Sequence, residues 1–140
     1  MNAPDRYAWI NDYVGTPHKT NGRDRAGWDC WGLMRAVWRE QKGIELPDFT
    51  APHDATFVEA VEAVGKFYER WPTVAPAVQV EAGADWDFVV VLRRGVLALH
   101  MGLVINRGVL HSANARGTVW EPESRFNAQY PNRAFWRWLG

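Results

Sequence analysis

The hydrophobic period of this chain changes once, and that change confines it to one class of fold. Up to residue 71, apolar side chains recur at helical spacing; from residue 87 onward, β-branched and apolar runs alternate with tight turns. Helices first and antiparallel strands afterwards predict an α+β domain, with N-terminal helices packed on a mostly antiparallel meander sheet. The 140 residues are expected to form a single domain, long enough to bury a core without staples. In the first half, residues 6–14 read as a short amphipathic helix and residues 16–26 as a loop. A helix starts at Cys30, placing Cys30, Leu33, Met34, Val37 and Trp38 on one face and Arg35, Arg39 and Glu40 on the other. Asp29 is its expected N-cap and Gly43 its stop. Thr56-Phe57-Val58-Glu59 has the form of a capping box and opens a further helix that ends at Pro72, followed by a loop over 72–86. Strands are expected over 87–92, 96–105, 109–113, 118–121 and 134–139.

Composition excludes several classes of function. Lysine plus arginine (16) equals aspartate plus glutamate (16), which leaves no basic field for nucleic acid and no charged patch for a membrane surface. No apolar run reaches the length that would insert into a bilayer. The first residues lack the basic and apolar regions of a signal peptide, and one cysteine makes no internal disulfide. Nine tryptophans stand far above ordinary usage and suit either a core or a binding surface.

The single cysteine sits where a loop runs into a helix. A thiol in a first helical turn meets unpaired N–H groups and the positive end of the helix dipole, an environment expected to favour the thiolate. A lone cysteine on an apolar helix face is otherwise an inert small hydrophobe. His100 and His111 supply the second feature. A two-residue loop at Asn106-Arg107 pairs Ile105 with Gly108 and sets His111 opposite Gly102. His100 then projects from the same face as His111, as a diagonal neighbour about 7–8 Å away along the backbone. A three-residue loop would send the two rings to opposite faces. A base beside a thiol, held by a third polar group, is the arrangement of nucleophilic catalysis. Strand histidines bonded to backbone groups, or a zinc site of one cysteine and two histidines, are the alternatives; no short His/Cys spacing supports zinc.

Five short motifs follow one another: Tyr13-Val14-Gly15-Thr16-Pro17, Gly27-Trp28-Asp29-Cys30-Trp31-Gly32-Leu33, Gly43-Ile44-Glu45-Leu46-Pro47, His100-Met101-Gly102-Leu103-Val104 and Leu110-His111-Ser112-Ala113. Their order resembles the NlpC/P60 family of cell-wall peptidases. The wording from Asp29 to Arg35, with Trp38-Arg39-Glu40 and Gly43 to Asp48, is similar to the phage-tail-associated branch. The resemblance implies a papain-like fold, with Cys30 as nucleophile, His100 as general base and His111 as the orienting third member. It implies hydrolysis of peptidoglycan stem peptides beside γ-D-glutamyl and diamino-acid residues, through an acyl-enzyme and without a cofactor. Phage tail proteins are the implied partners. The implied location is a virion or tail, or the bacterial cytoplasm before release. His18 stands where the family commonly has tyrosine, and its ring N–H is a candidate replacement for a hydroxyl donor. Trp31 stands where the family commonly has serine, at a position that shapes the substrate pocket, and Asp29 adjoins the thiol; all three are candidate substrate-binding residues. The competing function is a catalytically silent tail-assembly module that binds partners through a tryptophan-rich surface.

Overall fold

A computed structural model of the chain describes residues 5–47, 77–93, 97–113 and 115–139. The expected helix beginning at the Thr56 capping box lies outside these residues. The expected N-terminal helix is a single 3-10 turn, Ala8–Asp12, and the stretch read as a loop contains a two-stranded ribbon, β1 (Arg23–Asp24) and β2 (Gly27–Trp28). Helix α1 follows over Cys30–Val37 and widens into a π turn, Trp38–Lys42. It stops at Gly43, whose φ of 68° is the left-handed conformation that ends helices.

The remaining strands are β3 (Ala77–Val80), β4 (Phe88–Arg93), β5 (Leu97–Ile105), β6 (Gly108–Ala113), β7 (Gly117–Pro122) and β8 (Arg133–Trp138), with helix α2 (Glu123–Gln129) between the last two. All six join one antiparallel sheet in the order β3-β8-β4-β5-β6-β7. The chain therefore meanders only from β4 to β7; the last strand returns between β3 and β4. β3 lies in a stretch read as loop, and α2 was not foreseen.

Side-chain alternation divides the sheet into two faces. Phe88, Val90, Met101, Leu103, Ile105 and Leu110 point to one face, where Trp31, Leu33, Met34, Val37 and Trp38 cover them. Val89, Val91 and Val109 point to the other and pack with Phe126 of α2. Eight tryptophans fall within the described residues. Trp28, Trp31, Trp38 and Trp136 are buried in the larger core, and Trp9, Trp86, Trp120 and Trp138 pack against it. The described indoles are core material.

Candidate active site

The β5–β6 hairpin has the two-residue loop, the alternative that places both histidines on one face. Asn106 (φ 53°) and Arg107 (φ 59°) both adopt the left-handed conformation of a type I′ turn, and Ile105 pairs with Gly108. The ladder then runs through Val104↔Val109 and Leu103↔Leu110 and stops, so β5 and β6 part beyond Leu103. His100 and His111 lie on the two arms of this fork. Their rings share a face, with His100 Nε2 at 2.8 Å from His111 Nδ1. Gly102 makes room: a Cβ there would come within 2.6 Å of Val109 and 3.2 Å of His111.

Cys30 lies beside the β5 arm of the fork. It opens α1, and its sulfur takes hydrogen bonds from the backbone at Met101, the residue after His100, and at Trp31. The ionisation differs from the sequence expectation. Burial, and then the negative charge of Asp29, push the thiol up to about 11; the two backbone hydrogen bonds and Arg23 offset only part of this. A first-turn position does not yield a thiolate when the sulfur is desolvated and its nearest charge is a carboxylate. Burial, with the neighbouring His111 and His18, lowers His100 to about 3. The resting site therefore holds a neutral thiol and neutral imidazoles.

Asp29 and Trp31 are both engaged within the fold. One Asp29 oxygen accepts from Gly32 N (2.8 Å) and Arg23 Nη1 (2.8 Å), and the other accepts from Asn21 N (3.0 Å). The residue is a cap and a loop anchor. Trp31 is 3% exposed, lies against Phe88 at 6.3 Å between ring centroids, and donates Nε1–H to Pro47 O at 2.8 Å. The helix turns this position toward Phe88 of β4. Trp28 is likewise buried and donates to Thr118 Oγ1 at 2.7 Å.

His18 does arrive near the site. Its loop is tied down by Lys19 N to Trp28 O (3.1 Å), Trp28 N to Pro17 O (3.0 Å) and Thr118 N to Thr16 O (2.8 Å). Its Nδ1 lies 2.9 Å from Ser112 Oγ, whose own proton is committed to Trp28 O at 2.9 Å. Ser112 must then accept, which places a proton on His18 Nδ1. One ring N–H of the residue expected to stand in for a hydroxyl donor is thus directed at Ser112.

Sequence reasoning missed Glu121. This carboxylate is 2% exposed, with Oε2 at 3.4 Å from His111 Nε2 and Oε1 in an ion pair with Arg116. β6 and β7 pair His111 with Val119 and Val109 with Glu121, so Glu121 is a diagonal neighbour of His111 on one face. The parity argument that joined the two histidines would have found it, given the length of the next turn. As for zinc, the two imidazoles aim nitrogens at each other, and among the described residues no three His, Cys, Asp or Glu side chains are grouped to hold a metal. A hollow of about 420 Å³ is lined by residues 79–81 and 133–135, at the far end of the strand order from β6 and β7, and holds neither Cys30, His100 nor His111.

Two measurements follow from the site's electrostatics. Asp29→Asn retains an oxygen for Gly32 N while removing the charge that raises the thiol; Cys30 is expected to titrate at lower pH, read by thiolate absorbance. For stability, the native state keeps His100 neutral down to about pH 3, whereas an unfolded histidine takes a proton near 6.5. Between those values the unfolded chain binds more protons. Stability is therefore whole above pH 6.5 and falls as the pH drops toward 3, at up to about 1.4 kcal/mol per pH unit for this residue. The depressed His111 acts in the same direction. Urea midpoints at pH 7, 6, 5 and 4 would show the decline; a flat series would contradict it.

The sequence model of the NlpC/P60 family matches residues 15–138. The murein DD-endopeptidase MepS/murein LD-carboxypeptidase of Escherichia coli K12 is 26% identical over 116 residues, which cover 82% of this chain and 50% of that protein. The same-named protein of Escherichia coli O157:H7 matches equally. The chain spans about half the length of these curated relatives. Among solved structures, the NlpC/p60 domain of the peptidoglycan hydrolase SagA superposes with a TM-score of 0.59 at 17% identity, covering 97% of each chain. A lipoprotein-like NLP/P60 protein of Staphylococcus aureus Mu50 gives 0.53 at 18% identity, covering 96% of this chain and 42% of that one. At such identities the likeness establishes the fold.

Proposed function

The chain belongs to the NlpC/P60 family, and from that premise we propose that it is a cysteine peptidase that hydrolyses peptide bonds of peptidoglycan. The observation that carries this reading is the fork. Two hydrogen-bonded imidazoles stand on diverging strands, and the chain's single thiol bonds to the backbone one residue from His100. In the mechanism, the Cys30 thiol proton passes to His100 as sulfur attacks the carbonyl carbon. A backbone N–H in the first turn of α1 steadies the oxyanion. Collapse expels the amine, which takes the proton from His100, and leaves a thioester. Water, deprotonated by His100, then releases the acid and restores the thiol. No step calls on a cofactor. Because the resting pair is neutral, proton transfer and attack are coupled rather than sequential.

The substrate class follows from the relatives, named as a murein endopeptidase and a peptidoglycan hydrolase. The finer assignment is a stem peptide cut at the γ-D-glutamyl-diamino acid bond by a component of a phage or prophage tail, carried in the virion. It rests on the wording of the Cys30 motif. The rival reading, a silent assembly module gripping partners through surface tryptophans, has little surface to use, since all eight described indoles sit in or against the core. Incubation with purified muropeptides and mass spectrometry of the products tests the proposal. Fragments that have gained one water at a stem-peptide bond are expected; intact muropeptides after incubation with folded protein would refute it.

A further inference from the structure

Hydrogen bonds between two histidines leave one question that geometry can answer: which ring donates. The 2.8 Å contact joins His100 Nε2 to His111 Nδ1, and a neutral pair shares one proton across it. If that proton belonged to His111 Nδ1, His111 Nε2 would be a bare lone pair. It would then face the Glu121 carboxylate at 3.4 Å inside the protein, acceptor against acceptor. His111 is fully buried and Glu121 is 2% exposed, so no solvent relieves such a clash. Among the described residues, His111 Nε2 has no hydrogen-bond partner that competes for it. With the proton on His111 Nε2, the conflict becomes an N–H directed at a carboxylate. His111 Nδ1 is then the acceptor, His100 Nε2 the donor, and the lone pair of His100 falls on Nδ1.

We infer that Glu121, held by Arg116, is a positioning residue that fixes the tautomers of both histidines and so makes His100 a base through Nδ1. It acts through His111 and does not touch the reacting atoms. The 3.4 Å separation is longer than a charge-assisted hydrogen bond of about 2.7–2.9 Å, so the carboxylate orients His111 by charge and leaves room to close when positive charge develops. As the Cys30 proton moves onto His100 Nδ1, that ring becomes an imidazolium whose Nε2–H is already directed at His111. The charge then lies in line with His111, Glu121 and Arg116. Phe126 stands edge-on to the His111 ring at 5.1 Å, and Tyr130 lies 6.2 Å from it, so α2 and the residue after it close this line on one side.

The inference rests on the peptidase reading for its purpose but not for its test. Long-range nitrogen–proton NMR of the labelled chain at pH 7.5 distinguishes the two imidazole tautomers without substrate. The expected result is Nε2–H for both His100 and His111; Nδ1–H at either ring would overturn the inference. Glu121→Gln keeps the size of the side chain but offers His111 either an oxygen or an amide. It is expected to give mixed tautomer signals in a protein with unchanged far-ultraviolet circular dichroism. With muropeptide, kcat should fall roughly a hundredfold at little change in KM. Unaltered tautomers and kcat in this variant would refute the role of Glu121 while leaving the peptidase reading intact. Should the wild-type chain leave muropeptides uncut, the peptidase reading would fail and the tautomer measurement would still decide this inference.

Discussion

Replacing Cys30 by alanine is expected to abolish muropeptide hydrolysis, with a fall in turnover of at least ~10⁴-fold, and to leave the fold in place. The two halves of this expectation have separate causes. No other thiol exists in the chain to form an acyl-enzyme, and an uncatalysed water has no route around that intermediate. Structurally, the substitution removes one sulfur at the first position of α1. Alanine improves helix propensity by about 0.6 kcal/mol, against roughly 1 kcal/mol for lost sulfur packing. The cap at Asp29 is untouched because its bonds run to Gly32, Arg23 and Asn21. Cys30→Ser sharpens the test: a hydroxyl fits the space but gives up its proton far less readily, so it should be nearly as inactive. Hydrolysis at an unchanged rate by folded Cys30→Ala would remove the thiol from the mechanism.

The second large effect is on stability. Gly32→Ala is expected to destabilise the protein by roughly 3 kcal/mol, a fall in Tm of about 10 °C for a chain of this size. On helix propensity alone the sign would be the reverse, because alanine in a helix gains about 1 kcal/mol over glycine. Space decides against it. A Cβ at Gly32 would stand 2.2 Å from the carbonyl oxygen of Gly22 and 3.0 Å from Trp28 Cβ. Backbone cannot swing aside as the end of a long side chain can. Relief requires separating α1 from the loop that carries Asn21 to the Asp29 carboxylate and His18 to Ser112. Activity should therefore fall along with Tm. Gly43→Ala is the control: nothing lies within 4 Å of a Cβ there, and only the left-handed φ of 68° is penalised, by about 1 kcal/mol. Thermal melts of the two variants measure the contrast. Equal Tm shifts would mean that the close approach at Gly32 carries no energetic weight.

What could be read from sequence was whatever depends on short range. The helix from Cys30, its cap at Asp29 and its stop at Gly43 are local chemistry, and all three stand in the structure. The shared face of His100 and His111 followed from strand period and a two-residue turn, again a local matter. Features set by distant partners did not show. The insertion of β8 between β3 and β4 depends on pairings such as Val89↔Phe135 and Val80↔Phe135, across gaps that no period encodes. Helix α2 has seven residues and one buried apolar side chain, Phe126, too few to reveal a repeat. The role of His18 depends on Ser112, 94 positions away. The raised thiol is the clearest case: the dipole argument from the first helical turn was sound, and burial, which sequence does not display, outweighed it.

The pH dependence of Cys30 alkylation tests the account most directly, because it asks whether thiol and imidazole share one proton. With His100 lowered to about 3 and the thiol raised to about 11, the neutral pair and the thiolate–imidazolium pair contain the same number of protons between those limits. The thiolate–imidazolium fraction is then independent of pH across that range and sets a floor beneath the free thiolate, which falls tenfold per pH unit below about 11. An unassisted thiol instead gains about tenfold per pH unit until it ionises. Iodoacetamide labelling of the wild-type chain is predicted to slow as the pH falls and then to level off at a rate that no longer depends on pH, with His100→Ala removing that floor. A wild-type rate that climbs tenfold per unit, unchanged by loss of His100, would show that sulfur and ring do not cooperate.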